Sequence, residues 1–168
     1  MPKITLTKEE VLTLNIGLRN VGDLSGPRFS YVIARNISIL KDEVIALVKA
    51  QESSKEFQEY DRKRVELARS HATKDEHGKA IVSNVSGVGK FVIEDEEEFK
   101  VAWDKLKIEY KDAIDIKQKM NDEFRTVLQE KIEFVLYSLS REELPENITA
   151  QQLSDILVLV KKDENEVI

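Results

Sequence analysis

The run Ser86-Gly87-Val88-Gly89-Lys90 has the residue types of a phosphate-binding loop, since glycines let backbone amides approach a phosphate and a lysine supplies charge. The full pattern requires glycine at position 84 and serine or threonine after the lysine, and this chain has Asn84 and Phe91 there. It also requires a helix directly after the loop, whereas Phe91-Val92-Ile93 reads as a strand. Gly87, Gly89 and Lys90 are therefore expected at the tip of a hairpin, open to a partner rather than wrapped around a nucleotide. His71 and His77 enclose Asp75 and Glu76, which are possible zinc ligands. A zinc site needs three or four convergent groups, and a loop between helices rarely holds them. Neither histidine lies near a serine on a strained turn, and no spacing sets paired carboxylates in a cleft. The expectation is a protein without enzymatic activity, metal or cofactor.

Four further groups carry chemistry of a milder kind. Arg28, Arg35 and Asn36 lie near the start of an apolar helical stripe, and Asn36 falls inside that stripe with Ile33 and Leu40. A polar side chain there requires a partner, and a buried hydrogen bond that sets helix register is the simplest one. Arg28, Arg35 and Lys41 are also the cations a nucleic-acid or nucleotide binder would use on this helix. Trp103 and Tyr110, one heptad apart, could stack on bases but suit a packed seam better. The acidic run Glu94 to Glu98 could hold a divalent cation or mimic nucleic acid; a helix start, where the dipole favours negative charge, explains it more cheaply. Asp61-Arg62-Lys63-Arg64 sits among Glu56, Glu59 and Glu66 and reads as a charge-laced exposed face.

Composition narrows the classes. At 168 residues, with six glycines and three prolines, the chain fits one mainly helical domain rather than an all-β fold. Charged residues make up 35%, as expected of long helices that bury one stripe and expose the rest. A net charge of −6 repels a phosphate backbone on average, so nucleic-acid binding would need a segregated basic face. With no cysteine, disulfides and thiolate chemistry are excluded, and a cytoplasmic location is expected. No run approaches the roughly 18 apolar residues of a membrane-spanning helix.

The elements that would position these groups follow from periodicity. Ile4 to Leu6 alternate as a strand, and Thr7 with Glu10 forms a capping pattern that starts a helix at Lys8. Gly26-Pro27 opens a long helix over 27–71, either continuous for about 65 Å or broken at Ser53-Ser54. A β-hairpin is expected over 79–93. Phe99, Leu106, Ala113, Met120 and Val127 recur every seventh residue, with Trp103, Tyr110 and Phe124 four residues after three of them, which predicts a long helix over 95–130. A strand over Ile132 to Leu136 is available to pair with Ile4 to Leu6. Thr149 and Gln152 cap a last helix carrying Leu153, Ile156, Leu157 and Val160. The architecture expected is mainly α with minor β: an antiparallel helical hairpin or coiled coil tipped by a β-hairpin, on a small base built from both terminal segments.

Several short motifs resemble a family of small proteins of unknown function encoded by tailed bacteriophages and prophages. They are the opening Ile4-Thr5-Leu6-Thr7-Lys8-Glu9, the helix entry Gly26-Pro27-Arg28-Phe29-Ser30-Tyr31 with Ala34-Arg35-Asn36, and Glu56-Phe57 with Tyr60-Asp61 and Arg64. Lys74-Asp75-Glu76-His77-Gly78, Phe99 and Leu144-Pro145-Glu146-Asn147-Ile148-Thr149 complete them. The resemblance implies a phage-encoded, cytoplasmic, non-enzymatic accessory protein and supplies no catalytic residues. The functional expectation is a helical protein-interaction module, an assembly accessory or an inhibitor of a host protein, with Arg28, Arg35, Asn36, Gly87, Gly89, Lys90 and Trp103 as contact candidates. A seam of this length could also pair between copies of the chain.

Overall fold

A computed structural model describes residues 3–85 and 88–161. It is mainly helical, with two small antiparallel sheets, each of two strands. Contacts gather the chain into two units, Met1–Gln51 with Glu123–Ile168, and Glu52–Asp122. The first of these units draws on segments at both ends of the chain, as the base expected from the two terminal segments does.

In the first unit, β1 (Lys3–Thr7) pairs antiparallel with β4 (Lys131–Val135), setting Ile4 opposite Phe134 and Leu6 opposite Ile132. Alternation places these four apolar side chains on one face and Lys3, Thr5 and Glu133 on the other. Thr7 caps α1 (Lys8–Asn20) through a reciprocal box: its hydroxyl accepts from the Glu10 amide, and the Glu10 carboxylate accepts from the Thr7 amide at 2.7 Å. Gly26, at φ 147°, turns the chain into α2 (Pro27–Ala50), with Pro27 in the first turn where no amide is needed. Val11, Leu14 and Leu18 of α1 and Phe29, Val32, Ile33 and Leu40 of α2 bury against Leu136, Leu139, Ile156 and Leu159. This core is the anchor for everything α2 presents to solvent.

The last helix is shorter than its apolar spacing predicts. Thr149 and Gln152 cap α6 (Ala150–Asp155) as expected, but a 3₁₀ turn at Leu157–Leu159 follows. The reason is tertiary: Leu139 donates to the Leu159 carbonyl and Lys161 to the Leu139 carbonyl, so the chain extends alongside Leu139. Ile156 and Leu159 are thereby buried, whereas Leu157 stays 58% exposed.

In the second unit, α3 (Lys55–Ser70) begins after a break at Gln51 to Ser54, with the Ser54 hydroxyl accepting from the Phe57 amide. Of the two forms expected for 27–71, the chain adopts two helices. β2 (Val82–Val85) and β3 (Val88–Phe91) form the hairpin, and Asp95 caps α4 (Glu96–Glu109) through the Glu98 amide. Ring contacts of Tyr60 with Tyr110 and of His71 with Phe99 show that α3 and α4 run antiparallel.

The long helix expected over 95–130 is interrupted at Tyr110, after which α5 (Lys111–Leu128) begins. Tyr110 adopts φ −107° and ψ 20°, although its amide still donates to Leu106 and its carbonyl accepts from Ile114. Neither glycine nor proline causes this interruption. It coincides with the docking of the Tyr110 ring 5.8 Å from that of Tyr60, beneath the Lys63 ammonium at 4.9 Å. The boundary between the two units falls within α5, after Asp122.

Candidate functional site

The most developed polar cluster lies at the start of α2. Arg28, Tyr31 and Arg35 are spaced three and four residues apart, which brings them to one face of the helix. The chain after β4 meets that face with Tyr137, whose ring stands edge-on to Tyr31 at 5.9 Å and 90°. The Arg35 guanidinium lies 5.6 Å above the Tyr137 ring and that of Arg28 lies 6.0 Å from the Tyr31 ring. Two aromatic faces are thus each met by a cation, an arrangement that ring quadrupoles favour.

Asn36 forms the base of this cluster. It is fully buried, its Nδ2 donates to the Tyr137 carbonyl at 2.9 Å, and its Oδ1 accepts from the Tyr137 amide at 2.9 Å. Both halves of the amide are used, so Asn36 pairs with Tyr137 as an adjacent strand residue would and fixes where the tyrosine ring stands. The expectation of a buried hydrogen bond inside the α2 stripe therefore holds, with a backbone segment rather than a second side chain as partner.

Charge within the cluster is only partly balanced. Arg28 Nε donates to Glu143 Oε1 at 3.2 Å, and Ser140 donates its backbone N–H to the same carboxylate. The Ser140 amide first, then Arg28, hold the Glu143 carboxyl below the usual glutamate range. Arg35 has no carboxylate partner among the described residues. Lys41 does not share the face: six residues beyond Arg35, at about 100° per residue, it sits about 120° around the helix.

The remaining expected contact residues belong to the second unit. Trp103 is half-buried on α4 with its ring 5.4 Å from Phe99, and both side chains line an open groove beside the hairpin. Gly89 and Lys90 lie within β3, so a strand rather than a helix runs through Lys90. Gly87 lies outside the described residues. The basic run of α3 is laced with acids: Arg62 meets Glu66, Lys63 meets Glu59 and Glu109, and Arg64 meets Asp61 at 2.6 Å. The Tyr110 phenol and the Glu109 carboxylate hold the Lys63 ammonium above the usual lysine range. Asp75 accepts from the amides of His77 and Lys79, closing the turn before the hairpin.

Among the described residues, no group of three His, Asp or Glu side chains could hold a metal ion, and no helix is long and apolar enough to cross a membrane. Tyr31, Tyr137 and Glu143 are the cluster members that the sequence reading missed. Tyr31 was within its reach, lying between two arginines at helical spacing, whereas Tyr137 and Glu143 arrive from more than a hundred positions away. Compared with protein-family models, curated proteins and solved structures, the chain matches none.

Proposed function

We propose that this chain is a non-enzymatic protein-interaction module that works through the Arg–Tyr face of α2. In this reading it is the phage-type, cytoplasmic accessory that its short motifs resemble. The observation that carries the proposal is the combination of Tyr31, 49% exposed, with an Arg35 guanidinium that no carboxylate among the described residues neutralises, both mounted on the pairing of buried Asn36 with Tyr137. Tyrosine and arginine dominate the few residues that supply most binding energy at protein interfaces. A rigid base lowers the entropy lost when a partner docks.

Phosphate contact by Arg28, Arg35 and Lys41 fits this face less well. Arg28 is engaged by Glu143, and Lys41 points away from the other two. The test is capture from bacterial lysate with the tagged full-length chain and with Tyr31→Ala/Arg35→Ala. Wild type should retain a protein at stoichiometric level, and the double variant should lose it at least tenfold. Equal retention by both chains, or retention of nothing by wild type, refutes the proposal.

A further inference from the structure

The second unit holds a basic groove at the end of α3 that the α2 face does not explain. The groove is open, about 710 Å³ in volume, and runs between the last turns of α3 and the hairpin. Arg69, Lys74 and Lys79 line it together with the apolar side chains of Phe91 and Val82. All three cations are exposed, and none is bridged to a carboxylate among the described residues. The one acid in the lining, Glu66, is engaged by Arg62 at 3.5 Å, and the Asp75 carboxylate faces the backbone amides of its own turn. In a chain of net charge −6, three exposed cations that bridge to no carboxylate among the described residues are thus gathered with one aromatic side chain, although Asp75 and Glu76 stand between Lys74 and Lys79 in sequence.

The geometry points to a site for single-stranded nucleic acid, with Arg69, Lys74 and Lys79 contacting successive phosphates and Phe91 stacking on a base. Cations alone would also suit an acidic peptide; an aromatic side chain in the lining adds a group on which any base can stack. A base that stacks on Phe91 must be unpaired, so the ligand is a single strand rather than a duplex. This inference stands apart from the α2 proposal, whose residues all lie in the other unit.

Fluorescence anisotropy of a labelled short oligothymidylate against the full chain tests it. Three phosphate contacts on a single strand predict a log–log salt slope of about −2, a loss of roughly 20-fold in affinity between about 50 and 200 mM salt. Lys74→Gln/Lys79→Gln should weaken binding at least tenfold and flatten the slope by about 1.4. Lys74→Arg/Lys79→Arg should retain it, and Lys49→Gln, in the other unit, should change nothing. Phe91→Leu should weaken oligothymidylate binding by about fivefold or more while sparing polyglutamate. Circular dichroism confirms that each variant is folded, and if Phe91→Leu is not, the lysine pair decides. The assignment is overturned if wild type does not bind, if the slope is flat, if Lys74→Gln/Lys79→Gln binds as wild type does, or if polyglutamate of similar charge binds as tightly as the oligonucleotide.

Discussion

Asn36→Ala removes both hydrogen bonds to Tyr137 while leaving the aliphatic packing of α2 almost intact. In the native chain the side chain is fully buried and bonds the Tyr137 amide and carbonyl, each at 2.9 Å. The variant leaves one donor and one acceptor of Tyr137 without a partner, and each such loss costs about 1–3 kcal/mol. A total of about 3 kcal/mol is expected, equivalent to a fall in melting temperature of roughly 6–12 °C for a chain of this size. Urea denaturation gives the magnitude, and amide hydrogen exchange gives the place. Protection of the Tyr137 amide should fall about 100-fold or more, while the amides of α3 and α4 keep theirs. Asn36→Asp sharpens the test, because a carboxylate keeps the acceptor but faces the Tyr137 carbonyl with a second acceptor. Burial raises the folded pKa of that carboxyl, so its protonated form is favoured and can donate. Asn36→Asp should therefore gain stability relative to Asn36→Ala as pH falls from about 8 to about 5. An Asn36→Ala loss below about 0.5 kcal/mol, or unchanged protection at Tyr137, would refute the view that this pair holds the α2 face in place.

Gly17→Ala should destabilise, although alanine in a helix interior normally gains about 1 kcal/mol over glycine. A Cβ at position 17 would lie 2.7 Å from the Asp155 carbonyl oxygen, so denaturation should show a loss of about 2 kcal/mol and exchange should show α6 loosened. Ser54→Ala removes the cap of α3 and should cost about 1 kcal/mol, seen as earlier fraying at Phe57. Tyr60→Ala, at a ring that packs on both Phe57 and Tyr110, should cost about 3 kcal/mol, and near-neutral denaturation would show those contacts to be idle. Glu143 has a folded pKa below its ordinary 4.5, so its stabilising share is complete above that value and disappears as pH falls through the folded one. The stability gap between wild type and Glu143→Gln should close as acidification carries the solution below the ordinary 4.5 and through the folded pKa, and a constant gap would exclude the charge that Ser140 and Arg28 hold as its source.

What could be read from the sequence was local chemistry. Thr7 with Glu10 and Thr149 with Gln152 announce helix starts because a cap bonds amides only two or three positions away. The pairing of Ile4 and Leu6 with Phe134 and Ile132 was also legible, since both segments carry the period of two that a half-buried strand requires. Asn36 revealed itself as a polar residue in an apolar stripe, but its partner is a backbone 101 positions away, which no spacing rule reaches. The interruption at Tyr110 had no signal at all, because nothing in the local sequence forbids a helix there and the departure accompanies packing against Tyr60 and Lys63. α6 stops early for a similar reason, with Leu139 drawing the chain into extended pairing. The basic groove shows the same limit at the level of function. Arg69, Lys74 and Lys79 are separated by five residues each and sit on a helix end and either side of a turn, so neither helical nor strand periodicity groups them. Their grouping is made by the Asp75 turn, which folds the chain back so that the end of α3 and the hairpin face each other. That is why a chain whose overall charge argues against phosphate can still place three cations around one aromatic ring.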